Sequence, residues 1–95
     1  MISARDYTVP PSFGEPTAEK DRIVAIMRSY EKQPYGIAEG YLQDLKSGDF
    51  TKTVDCSFRV ENVFWYEEDL YNLEKNDLVL NDAFIQAILE LGPAE

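Results

Sequence analysis

Between Phe50 and Glu61 the chain changes character at almost every residue. Phe50, Val54, Cys56, Phe58 and Val60 take one side of the alternation and Thr51, Thr53, Asp55, Ser57, Arg59 and Glu61 the other, with Lys52 alone interrupting the apolar series. Side chains of a strand point to opposite faces in turn, so this run predicts a strand with one buried face. Buried backbone donors and acceptors must be paired, which obliges the rest of the chain to supply a neighbouring strand and a cover for the apolar side. Cys56 falls on the inward side with no cation beside it in sequence, the setting of a small buried hydrophobe rather than of a reactive thiolate.

The nearest partner is the stretch that follows. Glu61-Asn62 is expected to turn the chain so that Val63–Tyr66 pairs back as a second strand. Val63, Tyr66, Leu70 and Leu73 also fit helical spacing, but Phe64, Trp65 and Tyr66 are β-prone, whereas Glu67, Glu68 and Asp69 suit a helix N-terminus and Lys75 its C-terminus. A strand to Tyr66 and a helix from Glu67 to Lys75 are therefore predicted. Asn81 precedes a last helix with Phe84, Ile85, Ile88, Leu89 and Leu91 on its apolar face, and Gly92-Pro93 stops it.

Ahead of the strand lie two further segments. Met1–Pro16 carries three of the five prolines and no regular period, and reads as an extended arm that closes over its own core or over a partner. Thr17 is a candidate N-cap, and Ile23, Ile26, Met27 and Tyr30 form a helical stripe that Pro34 ends. Ala38, Tyr41, Leu42 and Leu45 repeat that spacing with Gly48 at a C-terminal cap position, so a second helix over about Tyr35–Lys46 is predicted, weakened by Gly36 and Gly40. The expected architecture is an arm over 1–16 and one acidic α+β domain over 17–95, with two N-terminal helices, an antiparallel strand pair and C-terminal helices. The alternative, if Val63–Lys75 is a single helix, is an all-α bundle.

Charge narrows the function. The 95 residues carry a formal charge of -9, and nearly all of it belongs to the second half: Met1–Thr53 has seven basic and eight acidic residues, Val54–Glu95 two and ten. Such a field repels nucleic-acid phosphate and anionic lipid and attracts basic protein surfaces, so direct nucleic-acid and membrane binding are not expected. With 44% apolar residues the chain has the means to fold. A single cysteine, no run of signal-peptide type and no long uncharged apolar stretch point to the cytoplasm.

The absence of histidine removes Ser-His, Cys-His and His-ligated metal chemistry. No glycine-rich phosphate loop occurs. Glu67, Glu68 and Asp69 diverge by about 100° per residue on a helix and cannot converge on one ion, and the Asp77, Asn81, Asp82 group lacks the EF-hand pattern. No cofactor, metal or catalytic residue is expected.

What remains is a juxtaposition of aromatics and carboxylates. Trp65, Tyr66, Glu67, Glu68, Asp69 and Tyr71 are the predicted partner-binding residues, because aromatic side chains dominate binding hot spots and flanking carboxylates steer and pair with Arg and Lys. The expected function is a non-enzymatic protein-binding regulator or inhibitor that covers a basic site on a larger partner, in the manner of a nucleic-acid mimic or an immunity protein. The alternatives are an assembly subunit of an oligomer and a small carboxylate-based enzyme or ligand binder.

Overall fold

The alternating run forms β3 (Phe50–Val60), and the turn at Glu61-Asn62 leads back into β4 (Val63–Tyr66), which pairs with it antiparallel from Val60↔Val63 to Ser57↔Tyr66. The remaining elements of this computed structural model are β1 (Ile2–Ser3), α1 (Lys20–Ser29), β2 (Gly36–Gln43), α2 (Glu67–Asn76) and α3 (Asp82–Leu91). Residues 1–95 are described, the side chain of Glu39 excepted. The sheet has four strands in the order β1-β4-β3-β2, with β1 parallel to β4 and the other neighbours antiparallel. The result is a small α+β domain with three helices.

The predicted order of elements is wrong in its first half. Tyr35–Lys46 is not a helix: Gly36–Gln43 is the edge strand β2, and only α1 precedes the sheet. Gly40 adopts a φ of 98°, open to glycine and closed to helix, and the β2–β3 register slips on both sides of Tyr41. Gly48 does take a positive φ of 85°, but in the loop between β2 and β3, where its N–H donates to the Asp44 carbonyl. The strand pair becomes a four-stranded mixed sheet because β2 and the two-residue β1 extend it at both edges. An all-α bundle is likewise excluded, since Val63–Tyr66 is a strand.

Three helices cover one side of this sheet. Ile23, Ile26 and Met27 of α1, Leu70 and Leu73 of α2, and Phe84 and Ile88 of α3 meet Phe58, Val63 and Trp65 in one core. Trp65 is its centre: its ring stacks on Phe58, the cross-strand partner, at 5.4 Å and meets Tyr30 and Phe84 edge-on at 6.1 Å. Phe64 and Tyr66 point the other way and are only half-buried. The α1 stripe begins later than Thr17 implies. Glu19, at a φ of 57°, stands at the N-cap without a capping hydrogen bond from its side chain to the helix backbone, and Thr17 contributes its carbonyl to the Lys20 N–H.

The arm lies along its own domain. β1 adds to the free edge of β4, Phe13 bridges Leu78, and the Asn81 N–H donates to the Ala4 carbonyl at 2.9 Å. Among the described residues no helix is long and apolar enough to cross a membrane.

Candidate interaction surfaces

Of the six predicted partner-binding residues, Trp65 and Asp69 have no exposed surface at all. They leave the set of surface candidates, Trp65 because the helices cover its side of β4 and Asp69 because the arm reaches it. Arg5 Nε donates to Asp69 Oδ1 at 3.1 Å, Tyr7 Oη donates to Oδ2 at 2.5 Å, and the Tyr66 N–H donates to the same Oδ2 at 3.0 Å. Burial pushes the Asp69 carboxyl above its ordinary range, against the pull of these donors.

The other four are half-buried, and most of their polar groups are occupied. Glu67 accepts from Arg28, which also holds Glu74, and burial raises its carboxyl above the usual value. Glu68 accepts from the Gln43 N–H at 2.9 Å, and burial raises it too. Tyr71 accepts from Lys75, while the Tyr66 ring meets Tyr7 and Phe64 edge-on. The Asp77, Asn81, Asp82 group is also dispersed: Asp77 accepts from Lys20 at 2.6 Å, and Asn81 donates to the Ser3 carbonyl. The acidic first turn of α2 thus fastens the arm, α1 and the β2–β3 hairpin to one another.

A second arrangement was not visible in sequence. The β2–β3 hairpin buries polar groups and exposes apolar ones. Asn72 of α2, fully buried, donates to the carbonyls of Gln43 and Glu68 and accepts from the Leu45 N–H and Asn76 Nδ2, at 2.8–3.0 Å. Asp55 accepts from the Glu68 N–H, and Asp44 from the Ser47 and Lys46 amides and Asn76. Those donors, the Ser47 N–H foremost, hold the Asp44 carboxyl down to about 2. On the opposite side, Ile37 is 80% exposed, Tyr41 56%, Val54 51% and Phe50 68%. Tyr41 and Val54 are direct cross-strand partners, as are Ile37 and Cys56, so these side chains share one face.

The third feature lies at the other end of the sheet. Glu61 and Glu90, both exposed, flank a shallow notch of about 220 Å³ floored by Val63, Ala87 and Leu91. Burial, and then the charges of Glu61 and Glu95, raise the Tyr30 hydroxyl above its ordinary value, which places those carboxylates on the same region of the molecule. Glu61 sits at a φ of 54°, in the left-handed region that costs an ordinary residue roughly 1–2 kcal/mol. Glu19 and Asp77 share that conformation, but their side chains pair with Arg22 and Lys20. Glu61 has no such partner among the described residues. The only sequence trace of this notch is the Glu61-Asn62 turn, since Glu90 reaches it through the packing of α3.

No protein-family model matches the chain, and no characterised protein or solved structure is significantly similar to it. Its chemistry is therefore argued from its own residues.

Proposed function

We propose that this protein is a non-enzymatic regulator or inhibitor that binds a basic surface of a larger protein, of the nucleic-acid-mimic or immunity-protein kind, through the notch between Glu61 and Glu90. The observation that carries the reading is the pairing of an apolar floor with two exposed carboxylates. Lysine and arginine bury an aliphatic stem while keeping the charged head among polar groups, and Val63, Ala87 and Leu91 supply the stem's seat below the carboxylates. The strained backbone of Glu61 supports the reading, because strain of this kind concentrates at functional positions and glycine would relieve it there. The surplus of negative charge supports it further: Val54–Glu95 carries ten acidic residues against two basic ones, and among the described residues Glu61, Glu90 and Glu95 take part in none of the internal ion pairs. The lone thiol, Cys56, suits an encounter in the reducing cytoplasm.

The test is a titration with a lysine-rich peptide followed by NMR. Amide shifts gathered at Glu61, Ala87, Glu90 and Leu91, lost in Glu61→Gln/Glu90→Gln and weakened in high salt, support the assignment. Shifts elsewhere, or none, overturn it. Affinity capture from the native host with the same double variant as control then identifies the partner.

A further inference from the structure

Between the arm, from Arg5 to Ser12, and the link that carries Val79 and Asn81 lies a cavity of about 160 Å³ that shares no residue with the Glu61 notch. Hydrogen bonds pin its walls at both ends: the Val79 N–H donates to the Ser12 carbonyl and the Asn81 N–H to the Ala4 carbonyl, each at 2.9 Å. Val9, Pro10, Pro11 and Val79 give it apolar walls, and its charged lining residues are Arg5 and Asp6. Neither spends its full capacity inside the protein. Arg5 gives Nε to Asp69 and lies with its guanidinium carbon 4.7 Å from the Tyr7 ring centroid, so that only 13% of the side chain is exposed, yet Nη1 and Nη2 have no acceptor among the described residues. Asp6 Oδ1 accepts from the Thr8 hydroxyl and N–H, which hold the carboxyl below its ordinary value and so keep it ionised at neutral pH. Its Oδ2 has no donor among the described residues.

We propose that this cavity binds a free α-amino acid with a small aliphatic side chain, of the size of valine: its carboxylate on Nη1 and Nη2 of Arg5, its ammonium on Asp6 Oδ2 and its side chain against Val9, Pro11 and Val79. A guanidinium carries five N–H donors in a planar fork that matches a carboxylate, and all but the one given to Asp69 remain. With Asp69 set against Arg5, Asp6 leaves one negative charge in excess at the cavity. A carboxylate alone is opposed by that charge, and an amine alone leaves the fork unused; a zwitterion meets both. The cavity also sets the size. An apolar cavity of about 150 Å³ holds benzene, so this one holds a branched chain of about three or four carbons with the charged groups at its mouth. The walls are already fixed to one another, so binding orders little, and a ligand this small is expected to bind with a Kd of about 1 mM. Since most of the lining belongs to the arm, the bound amino acid holds the arm against the Val79–Asn81 link and stabilises the folded chain by mass action.

NMR titration of the full chain with L-valine, isovalerate and isobutylamine tests this, because the two analogues keep the branched skeleton and lack the ammonium and the carboxylate respectively. Valine is expected to shift the amides of Asp6, Val9, Val79 and Asn81 saturably, with half the effect near ~1 mM, and each analogue to bind at least about tenfold more weakly. Asp6→Asn, at an exposed position, is expected to weaken valine by at least about tenfold and to leave isovalerate as it is or tighter. Val79→Phe, which fills the apolar seat, is expected to abolish binding of both, with Trp65 emission confirming that each variant is folded. No saturable shift up to about 50 mM valine, either analogue binding as tightly as valine, or an Asp6→Asn chain that binds valine undiminished overturns the proposal. Valine shifts confined to Glu61 and Glu90 overturn it as well and leave the peptide reading to its own titration, so the two fail separately.

Discussion

Tyr7 and Asp69, 62 residues apart, are joined by a 2.5 Å hydrogen bond from the phenol to a carboxylate with no exposed surface. Tyr7 as a residue is 38% exposed while its hydroxyl bonds to Asp69, and burial raises that hydroxyl's pKa above the ordinary tyrosine value. With Arg5 on the other oxygen, Asp69 is the anchor by which the arm is tied to the first turn of α2. Removing one partner strands a buried charge. Arg5→Ala is expected to cost about 3 kcal/mol or more and Tyr7→Phe about 1.5–3 kcal/mol. In a double-mutant cycle, measured by urea unfolding, the two losses should be non-additive because they share Asp69.

Trp65 is buried on every side, and Nε1 is the one buried side-chain polar atom without a hydrogen-bond partner among the described residues. Trp65→Phe removes that orphan donor as well as ring volume, so its cost should fall well below the roughly 3–5 kcal/mol of a Trp→Ala cavity. Denaturant midpoints of Trp65→Phe and Trp65→Ala measure the difference. As the only tryptophan, Trp65 should emit in the blue and resist iodide quenching until global unfolding.

Asn72 satisfies its full hydrogen-bonding capacity inside the protein. Asn72→Ala leaves the Gln43 carbonyl and Leu45 amide without their partner, and a loss of at least about 2 kcal/mol is expected. Hydrogen exchange should localise it: amides of Leu42–Leu45 lose protection first, while those of β4 keep theirs.

The response to acid has two signs. Asp55, Glu67, Glu68 and Asp69 have carboxyls raised by burial, so the folded state takes up protons before the unfolded one; their contribution to stability is full below the unfolded pKa and is lost as pH rises through the folded one. Asp44, held at about 2, acts oppositely, stabilising above its unfolded value and ceasing to as pH falls toward 2. Thermal unfolding between about pH 7 and 2 should therefore show stability rising on acidification down into the ordinary carboxylate range near ~4, and falling below it as Asp44 loses its contribution.

Glu61→Gly separates strain from binding. Glycine accepts a φ of 54° without the side-chain clash, so stability should hold or rise by up to about 1 kcal/mol, while affinity for a lysine-rich peptide falls. A calorimetric scan and a peptide titration on the same variant check both halves.

Legibility in the sequence follows how local each determinant is. β3, α2 and α3 stand where alternation, first-turn acids and the Gly92-Pro93 stop place them, because those signals act within a few residues. β2 was hidden. Ala38, Tyr41, Leu42 and Leu45 imitate a helical stripe, yet Tyr41 is over half exposed beside a buried Leu42, and the slips about Gly40 and Tyr41 destroy the two-residue period that marks a strand. The opposite directions of Trp65 and Tyr66 were readable, but which side is inside depends on three helices that no local pattern positions. Asp69 looked like surface because its partners, Arg5 and Tyr7, come from the far end of the chain.

The parallel pairing of Ile2–Ser3 with Val63–Phe64 also has a temporal side. During synthesis Ile2–Ser3 is made some sixty residues ahead of the β4 edge that it joins. The β3–β4 hairpin closes a two-residue turn, whereas β1 must close a loop of some sixty residues, the slower and entropically costlier event. Docking of β1 is then a late step of folding, one that seals the edge of the sheet and, through Arg5 and Tyr7, supplies donors to the acid already placed on α2.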